Sequence, residues 1–444
     1  MKAKKSNESR SNAIKKRDSK VFLTTTRDMY SPVIESGDGE FAYDADGNKL
    51  IDFSSFVSVY NMGVNSNAKI RSAIKSQIDR LMHSAFTDYY SGLPVDFGNL
   101  LISMMPKGFG RIFLSNSGTE ANEAAMKFAH LFTGRQYNLA FYNGFHGRTM
   151  GSLSLTSSKV VQRAHFGPFP ATVHVPFAYC YRCPFKQEYP GCGMACVDYI
   201  RKYPLSKEVS GKEVAAFFVE PIQGEGGYIV PPPEFFKEIK KITDDYGMLL
   251  VSDEVQSGYM RTGKFLAMEN FGVTADIYTM AKALGAGLPM GATIVRTSLG
   301  DLPEGAHSNT FGGNLAVVAG AFESLKQVAE KKEKLGAEVV RKGRIVMKRL
   351  TEMKEIYEIV GDARGIGLMT AIEFVTDKKS KTPGVKERDA VLELAVRKGL
   401  LMLPTGQSAI RIIPPLTIND GTLERGLDIL EAAVRDVSKK PHIR

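Results

Sequence analysis

Between about residues 111 and 295, short unbroken runs of Val, Ile, Leu and Phe alternate with longer stretches of mixed polarity. This is the rhythm of strands and helices in a βαβ sheet. Strands are predicted over residues 111–115, 139–142, 215–219, 248–252, 276–280 and 291–295. Their apolar residues are continuous rather than alternating, as in strands covered by helices on both faces. Helices are predicted over residues 120–132 and 233–246, the second entered through a proline run that cannot continue a strand. After Thr310 the pattern changes. One long charged helix over 316–354 leads to a short strand region at 368–374, a helix over 386–398, a strand over 409–413 and a last helix over 420–437. The expected architecture is α/β: a mostly parallel central sheet with helices on both faces, plus a smaller α+β domain.

The expected division is a basic tail over 1–20, an N-terminal segment over 21–70 packing with the small domain, a large domain over 71–315 and a small domain over 316–444. No internal repeat or long linker separates the two modules, so they are expected to share an interface. The 444 residues, 43% hydrophobic and 24% charged, provide ample core and exclude collagen-like and low-complexity classes. No apolar run reaches the roughly 18–20 residues of a membrane helix. The first twenty residues lack the apolar core of a secretory signal, and a cytoplasmic location is expected. Net charge is +10, but those twenty residues hold eight Lys and Arg against two acids, leaving +4 for the other 424. The body is therefore nearly balanced and has no basic stripe interleaved with aromatics. Neither nucleic acid nor membrane is an expected partner, and the tail reads as a solvated, frayed terminus.

Polar residues gather at the predicted strand ends, where open α/β sheets bind ligands. The first strand ends in Asn116-Ser117-Gly118-Thr119-Glu120-Ala121, running straight into a helix. Free backbone N–H groups and a hydroxyl there could hold phosphate, although such a segment alone is more often a capping turn with Ser117 or Thr119 as N-cap. The second strand ends in Asn143-Gly144-Phe145-His146-Gly147-Arg148-Thr149, an aromatic face and a guanidinium beside two glycines. A histidine in that setting is more often a structural donor than a ligand. The third strand delivers Glu220 and Glu225, and the fourth Asp253-Glu254-Val255-Gln256. An acid at the end of an apolar strand needs a cationic partner, and a protonated ring nitrogen would serve. The fifth ends in Ala281-Lys282-Ala283-Leu284-Gly285-Ala286-Gly287. Desolvation and cationic neighbours could make Lys282 an imine-forming amine; standing alone, the motif reads rather as a lysine snorkelling out of a loop.

Taken together, an anion turn, an aromatic, a strand-end Asp and a lysine match the needs of pyridoxal 5′-phosphate. The segments SNSGTEANEAA, FHGRT, VEPIQGEGG, VSDEVQSG, AKALGAGLP and NTFGGN resemble those of class III (subgroup II) aminotransferases of fold type I. That family includes 4-aminobutyrate, ornithine and acetylornithine aminotransferases, and the resemblance runs from about Asp52 to Arg411. It implies a homodimer with active sites at the subunit interface. It also implies that Lys282 carries the cofactor as an imine and moves the substrate proton, and that Asp253 pairs with the pyridinium nitrogen. Phe145 would lie against the ring, Gln256 near its 3′-oxygen, and Gly118 and Thr119 at the phosphate, joined by Thr310 from the other subunit. Arg148 would take the distal carboxylate of an ω-amino acid. Glu225 and Arg411 would form a switch pair, the glutamate shielding the arginine until it grips the α-carboxylate of 2-oxoglutarate or glutamate.

The implied reaction moves an amino group from an ω-amino acid, 4-aminobutyrate first and ornithine-type donors next, to 2-oxoglutarate. The alternative is an amino acid racemase or epimerase on the same scaffold, which needs the same lysine, aspartate and phosphate cup and usually a second base. The set of Arg148, Glu225 and Arg411 favours transamination. Two positions depart from the family pattern: Phe56 stands where Gly is usual and Val64 where Gly-His is usual. A phenyl group at the pocket mouth would exclude a bulky donor or merely repack the wall.

All four cysteines, Cys180, Cys183, Cys192 and Cys196, lie within seventeen residues in the spacing C-x2-C-x8-C-x3-C. Their segment contains Pro184, Pro190, Gly191 and Gly193 and is not expected to form regular helix or strand. A structural zinc site is one reading, with iron and sulfide a lesser variant. Two disulfides and four free thiols are the others.

Overall fold

The computed structural model describes residues 9–27, 30–65 and 67–439. Its centre is a seven-stranded sheet in the order Phe109–Ser115, Gly291–Arg296, Ile277–Ala281, Leu249–Asp253, Val214–Val219, Tyr137–Phe141, Thr172–Val175. The last five pair in parallel, whereas Gly291–Arg296 runs antiparallel to both its neighbours. All six predicted strands are present, with ends moved by one or two residues. The seventh, Thr172–Val175, is a four-residue strand at the sheet edge with alternating burial, too short to register as an apolar run.

The continuous apolar runs are explained by two-sided burial. Val214–Val219 and Ile277–Ala281 are buried at every position. Successive residues point to opposite faces: Phe217, Leu250 and Tyr278 enter one core cluster, and Phe218, Val251 and Ile277 another. Helix Phe235–Tyr246 covers the first face with Phe235, Phe236, Ile239 and Ile242. Full burial of each such side chain contributes about 1.5–3 kcal/mol. Helix Gly118–Thr133 covers the second face with Ala124, Ala125 and Phe128. It starts where the Ser117 side chain accepts the Glu120 N–H and stops at Gly134, whose φ of +68° suits glycine.

The N-terminal strands Ile34–Asp38, Phe41–Asp44 and Lys49–Asp52 form a second sheet closed by Leu400–Leu401. Residues 1–8 of the basic tail lie outside the described residues. The frayed terminus expected there is corrected for its second half, since Arg10–Asp18 form a helix. The Ser11 N–H donates to Asp46 at 3.1 Å, and Arg10 pairs with Glu35 at 3.2 Å.

The predicted single helix over 316–354 is two helices, Leu315–Glu330 and Lys332–Ile356, parted at Lys331. The surrounding Glu-Lys-Lys-Glu-Lys stretch contains only good helix formers, so no local breaker marks the division. Tertiary packing imposes it: the first helix lies against Ala68–Arg80 and Gly92–Ser103, the second against Val360–Ile366. Antiparallel strands Val360–Ile366, Met369–Asp377, Ala409–Ile412 and Leu403–Thr405 complete the C-terminal α+β part with helices Val385–Arg397 and Asp420–Ser438. Among the described residues no helix is long and apolar enough to cross a membrane.

Candidate active site

The ends of the central strands open into a cavity of about 480 Å³. Gly118, Thr119, Phe145, Arg148, Glu225, Asp253, Gln256 and Lys282 all line it. Two residues of the implied set do not. Thr310 is exposed outside the cavity of its own chain, and Arg411 is buried behind Glu225.

Asp253, the last residue of strand Leu249–Asp253, is buried with its oxygens engaged. Oδ2 accepts from Asn122 Nδ2 at 2.7 Å and lies 2.9 Å from His146 Nδ1, while Oδ1 accepts the Val255 N–H at 3.0 Å. Burial opposes a charge on His146, but its hydrogen bond to Asp253, the Asp253 charge and the field of Glu220 prevail and raise its pKa. The histidine is thus the structural donor expected. Asn122 is itself fixed, giving a second bond to the His146 carbonyl at 2.7 Å and accepting from Thr279 at 2.8 Å. Sequence reasoning missed Asn122; a lone amide among Ala121, Ala124 and Ala125 on a helix's buried face was the available signal. Glu220 ties two loops to the floor, accepting the Phe145 N–H at 2.8 Å and the Gly224 N–H at 2.7 Å. Burial pushes its pKa up to about 7.

Lys282 directly follows strand Ile277–Ala281 with φ +49°, a left-handed conformation that a non-glycine residue adopts at a cost of about 1–3 kcal/mol. Burial lowers its pKa; Asp253 works against that shift and Arg411 adds to it. A lysine so placed presents more neutral amine, the nucleophilic form.

At the other end of the cavity both readings of the Ser-Gly-Thr turn hold at once. Ser117 caps the helix, and Gly118 and Thr119 lie at its positive end on the cavity wall. A Cβ on Gly118 would sit 2.7 Å from Val255 Cγ1, so only glycine lets the turn approach this closely. Thr119 bonds the hydroxyls of Thr149, at 2.8 Å, and Ser152. Gln256 accepts from the Tyr228 hydroxyl at 2.5 Å. The Arg148 guanidinium stands 5.5 Å from the Phe145 ring centre and is exposed at the mouth.

Glu225 is held between two cations: Arg411 Nη2 reaches Oε2 at 2.8 Å and Lys159 Nζ reaches Oε1 at 2.8 Å. Burial alone would raise the Glu225 pKa, but the two cations outweigh it and hold the carboxyl below its usual range. Arg411, from strand Ala409–Ile412, also donates to the Pro404 carbonyl at 2.7 Å. Lys159 was missed in the sequence, where it sits unremarkably in Ser-Ser-Lys-Val-Val.

Phe56 does not line the cavity. It lies in a left-handed turn with φ +48°, edge-on to Tyr60 at 5.6 Å and against the cluster of Ala42, Leu50 and Leu401. The phenyl group expected at the pocket mouth is therefore corrected: the ring packs against the N-terminal sheet instead. Val64 pairs by backbone with Gly39.

The metal reading of Cys180, Cys183, Cys192 and Cys196 is corrected. The four line one small cavity of about 20 Å³, yet all are free thiols, and among the described residues no group of three or more His, Cys, Asp or Glu is arranged to hold a metal ion. Burial pushes the Cys196 thiol up to about 11 and raises that of Cys180 as well. Part of the segment is regular: Cys180–Arg182 is a short 3-10 turn, and Cys196 lies in helix Ala195–Lys202.

A helix N-terminus, the Phe145 ring, a hydrogen-bonded buried acid and a desolvated lysine lining one cavity fit pyridoxal 5′-phosphate. The comparisons agree. The family model described as "Aminotransferase class-III" matches residues 23–434. The chain is 39% identical over 432 residues, 97% of each protein, to a protein of Thermococcus litoralis named leucine/methionine racemase. It is 34% identical over 90% of its length to a probable 4-aminobutyrate aminotransferase of Bacillus subtilis, covering 92% of that protein. Its fold matches that of taurine:2-oxoglutarate aminotransferase from Bifidobacterium kashiwanohense, solved with PLP and glutamate, with a TM-score of 0.89 at 26% identity over 97% of this chain and 98% of that one.

Proposed function

The chain belongs to the class-III aminotransferase family and its cofactor is pyridoxal 5′-phosphate, and from this premise we propose that it transfers the amino group of an ω-amino acid, 4-aminobutyrate first and ornithine-type donors next, to 2-oxoglutarate. The observation that carries this reading is the Glu225 carboxylate shared by Arg411 and Lys159. An arginine that can be masked or released lets one site accept, in turn, a substrate with an α-carboxylate and one without. Arg148, exposed at the mouth, is free to take the distal carboxylate of the donor.

When bound, the cofactor supplies the electron sink that makes loss of the substrate proton feasible. The chain's own groups do the rest. Lys282 Nζ binds the cofactor and moves the proton at the reacting carbon. Asp253, fixed by Asn122 and His146, holds a proton on the ring nitrogen through its negative charge. Phe145 positions the ring, and the Gly118–Thr119 turn orients the phosphate.

Racemisation is the second reading. It is favoured by the similarity to a leucine/methionine racemase and by a cavity wall of Val59, Ile222, Leu288, Pro289 and Met290, which suits an apolar side chain. Amino acids supplied singly, with and without 2-oxoglutarate, separate the two. Glutamate formed from 4-aminobutyrate or ornithine is the expected result. Loss of chirality in L-leucine or L-methionine without a keto acid, and no glutamate from any donor, would replace the first reading with the second.

The active form is proposed to be a homodimer, since Thr310 lies outside its own cavity beside Phe311, which is 59% exposed. Sedimentation at assay concentration should show a dimer; an active monomer would refute it.

A further inference from the structure

Lys159 lies on the far side of the Glu225 carboxylate from the cavity that Glu225 lines. Glu225 lines the cofactor cavity, whereas Lys159 and Gly226 line a second cavity of about 640 Å³ together with Asn143, Ser158 and Gly406. The carboxylate thus stands at a boundary: Oε1 meets Lys159 on the wall of the second cavity, and Oε2 meets the buried Arg411. Its backbone is tied to the turn at Gly406, whose N–H the Glu225 carbonyl accepts at 2.9 Å, which favours movement of the side chain alone. The backbone around Lys159 is anchored too: the Ser157 N–H donates to the Gly144 carbonyl at 2.8 Å, and the Ser158 hydroxyl bonds Gln162 at 2.6 Å.

Exposure falls inward across the three charges, with Lys159 38%, Glu225 21% and Arg411 7% exposed at the side chain. Two cations share one carboxylate, so the closed arrangement carries a surplus positive charge. A substrate carboxylate arriving at Arg411 uses that surplus and leaves two neutral pairs, Arg411 with substrate and Lys159 with Glu225. Without Lys159 the glutamate would have to abandon Arg411 for no other cation, or remain beside the substrate carboxylate and repel it.

We infer that Lys159 is a positioning residue of the carboxylate gate: it receives Glu225 when Arg411 turns to a substrate carboxylate, and so sets how readily the site accepts 2-oxoglutarate or glutamate. The inference rests on reading Glu225 and Arg411 as a gate.

The test uses the cofactor-loaded enzyme and two readouts. Glutarate, a dicarboxylate without an amino or keto group, measures binding alone by calorimetry; steady-state kinetics then separates KM from kcat. Lys159→Met should raise the glutarate Kd and the 2-oxoglutarate KM about fivefold, the strength of a half-exposed ion pair, with kcat little changed. The KM of a donor held through Arg148 should stay put. Lys159→Arg should restore both values, and in a Glu225→Ala background Lys159→Met should have no effect. Equal glutarate binding by wild type and Lys159→Met, absence of glutarate binding to wild type, or the same loss without Glu225 would each overturn the inference. Lys159-dependent glutarate binding in an enzyme that forms no glutamate from any donor would support it while refuting the proposed amino transfer.

Discussion

Asp253 and Glu225 are carboxylates delivered by neighbouring parallel strands, and their surroundings could hardly differ more. Asp253, 5% exposed, meets an amide, an imidazole and a backbone N–H that are all immobilised in buried elements. Glu225, 21% exposed, is contested by Arg411 from the C-terminal sheet and by Lys159, the residue before the short helix Val160–Gln162. The first is a charge with one stable arrangement; the second has two competing partners of similar reach. A buried group satisfied from every side is costly to move, whereas one divided between partners needs only a small bias to change sides. The floor of the site is therefore held in one arrangement, and Glu225 is the carboxylate that the proposed gate would move.

The most severe way to break this contrast lies in the floor. Lys282→Ala should reduce turnover by at least about 10³-fold, because no amine remains for imine exchange or proton movement. The Gly118–Thr119 turn should still retain cofactor, which phosphate analysis of the purified variant would detect. Near-normal turnover would remove Lys282 from its role. Asp253→Asn should also be severe, about 10²-fold or more, since a neutral amide supports charge neither on His146 nor on a ring nitrogen.

The gate should give smaller, directional effects. Arg148→Lys should raise the KM of an ω-amino acid donor roughly tenfold while sparing glutamate, because lysine lacks the planar two-point fork. Arg411→Lys should show the reverse bias. Equal damage to both half-reactions in both variants would mean that the two arginines do not divide the substrates.

The smallest effect is expected where potential ligands are gathered without being arranged. Chelator should leave Tm unchanged, metal analysis should find none, and thiol titration of the unfolded chain should find all four cysteines. A bound metal or a missing thiol would show that the segment around Cys180 and Cys196 is built like the floor after all.

Much of the site was legible because its chemistry is local. A turn between strand and helix must expose N–H groups whatever the rest of the chain does, and an acid or a lysine at the end of an apolar strand is conspicuous by contrast. Ser117 through Thr119, Phe145, Asp253 and Lys282 stand out in this way, Gln256 was reached only through the family resemblance, and the structure gathers them all in one cavity. Asn122 and Lys159 could not, because each acquires its role from a partner more than sixty residues away in sequence. The four cysteines misled for the converse reason: closeness along the chain does not specify the direction of a sulfur atom.

By itself, the sequence determined six of the seven central strands and placed the Ser-Gly-Thr turn, Asp253 and Lys282 at their ends, since continuous hydrophobicity and strand-end polarity are properties of short stretches. Only the tertiary structure decided that the charged helix breaks at Lys331, that Phe56 packs away from the cavity and that Glu225 is shared between two cations. Those outcomes depend on which distant surfaces meet, and a carboxylate or a ring settles where its neighbours leave the best combination of contacts and countercharge.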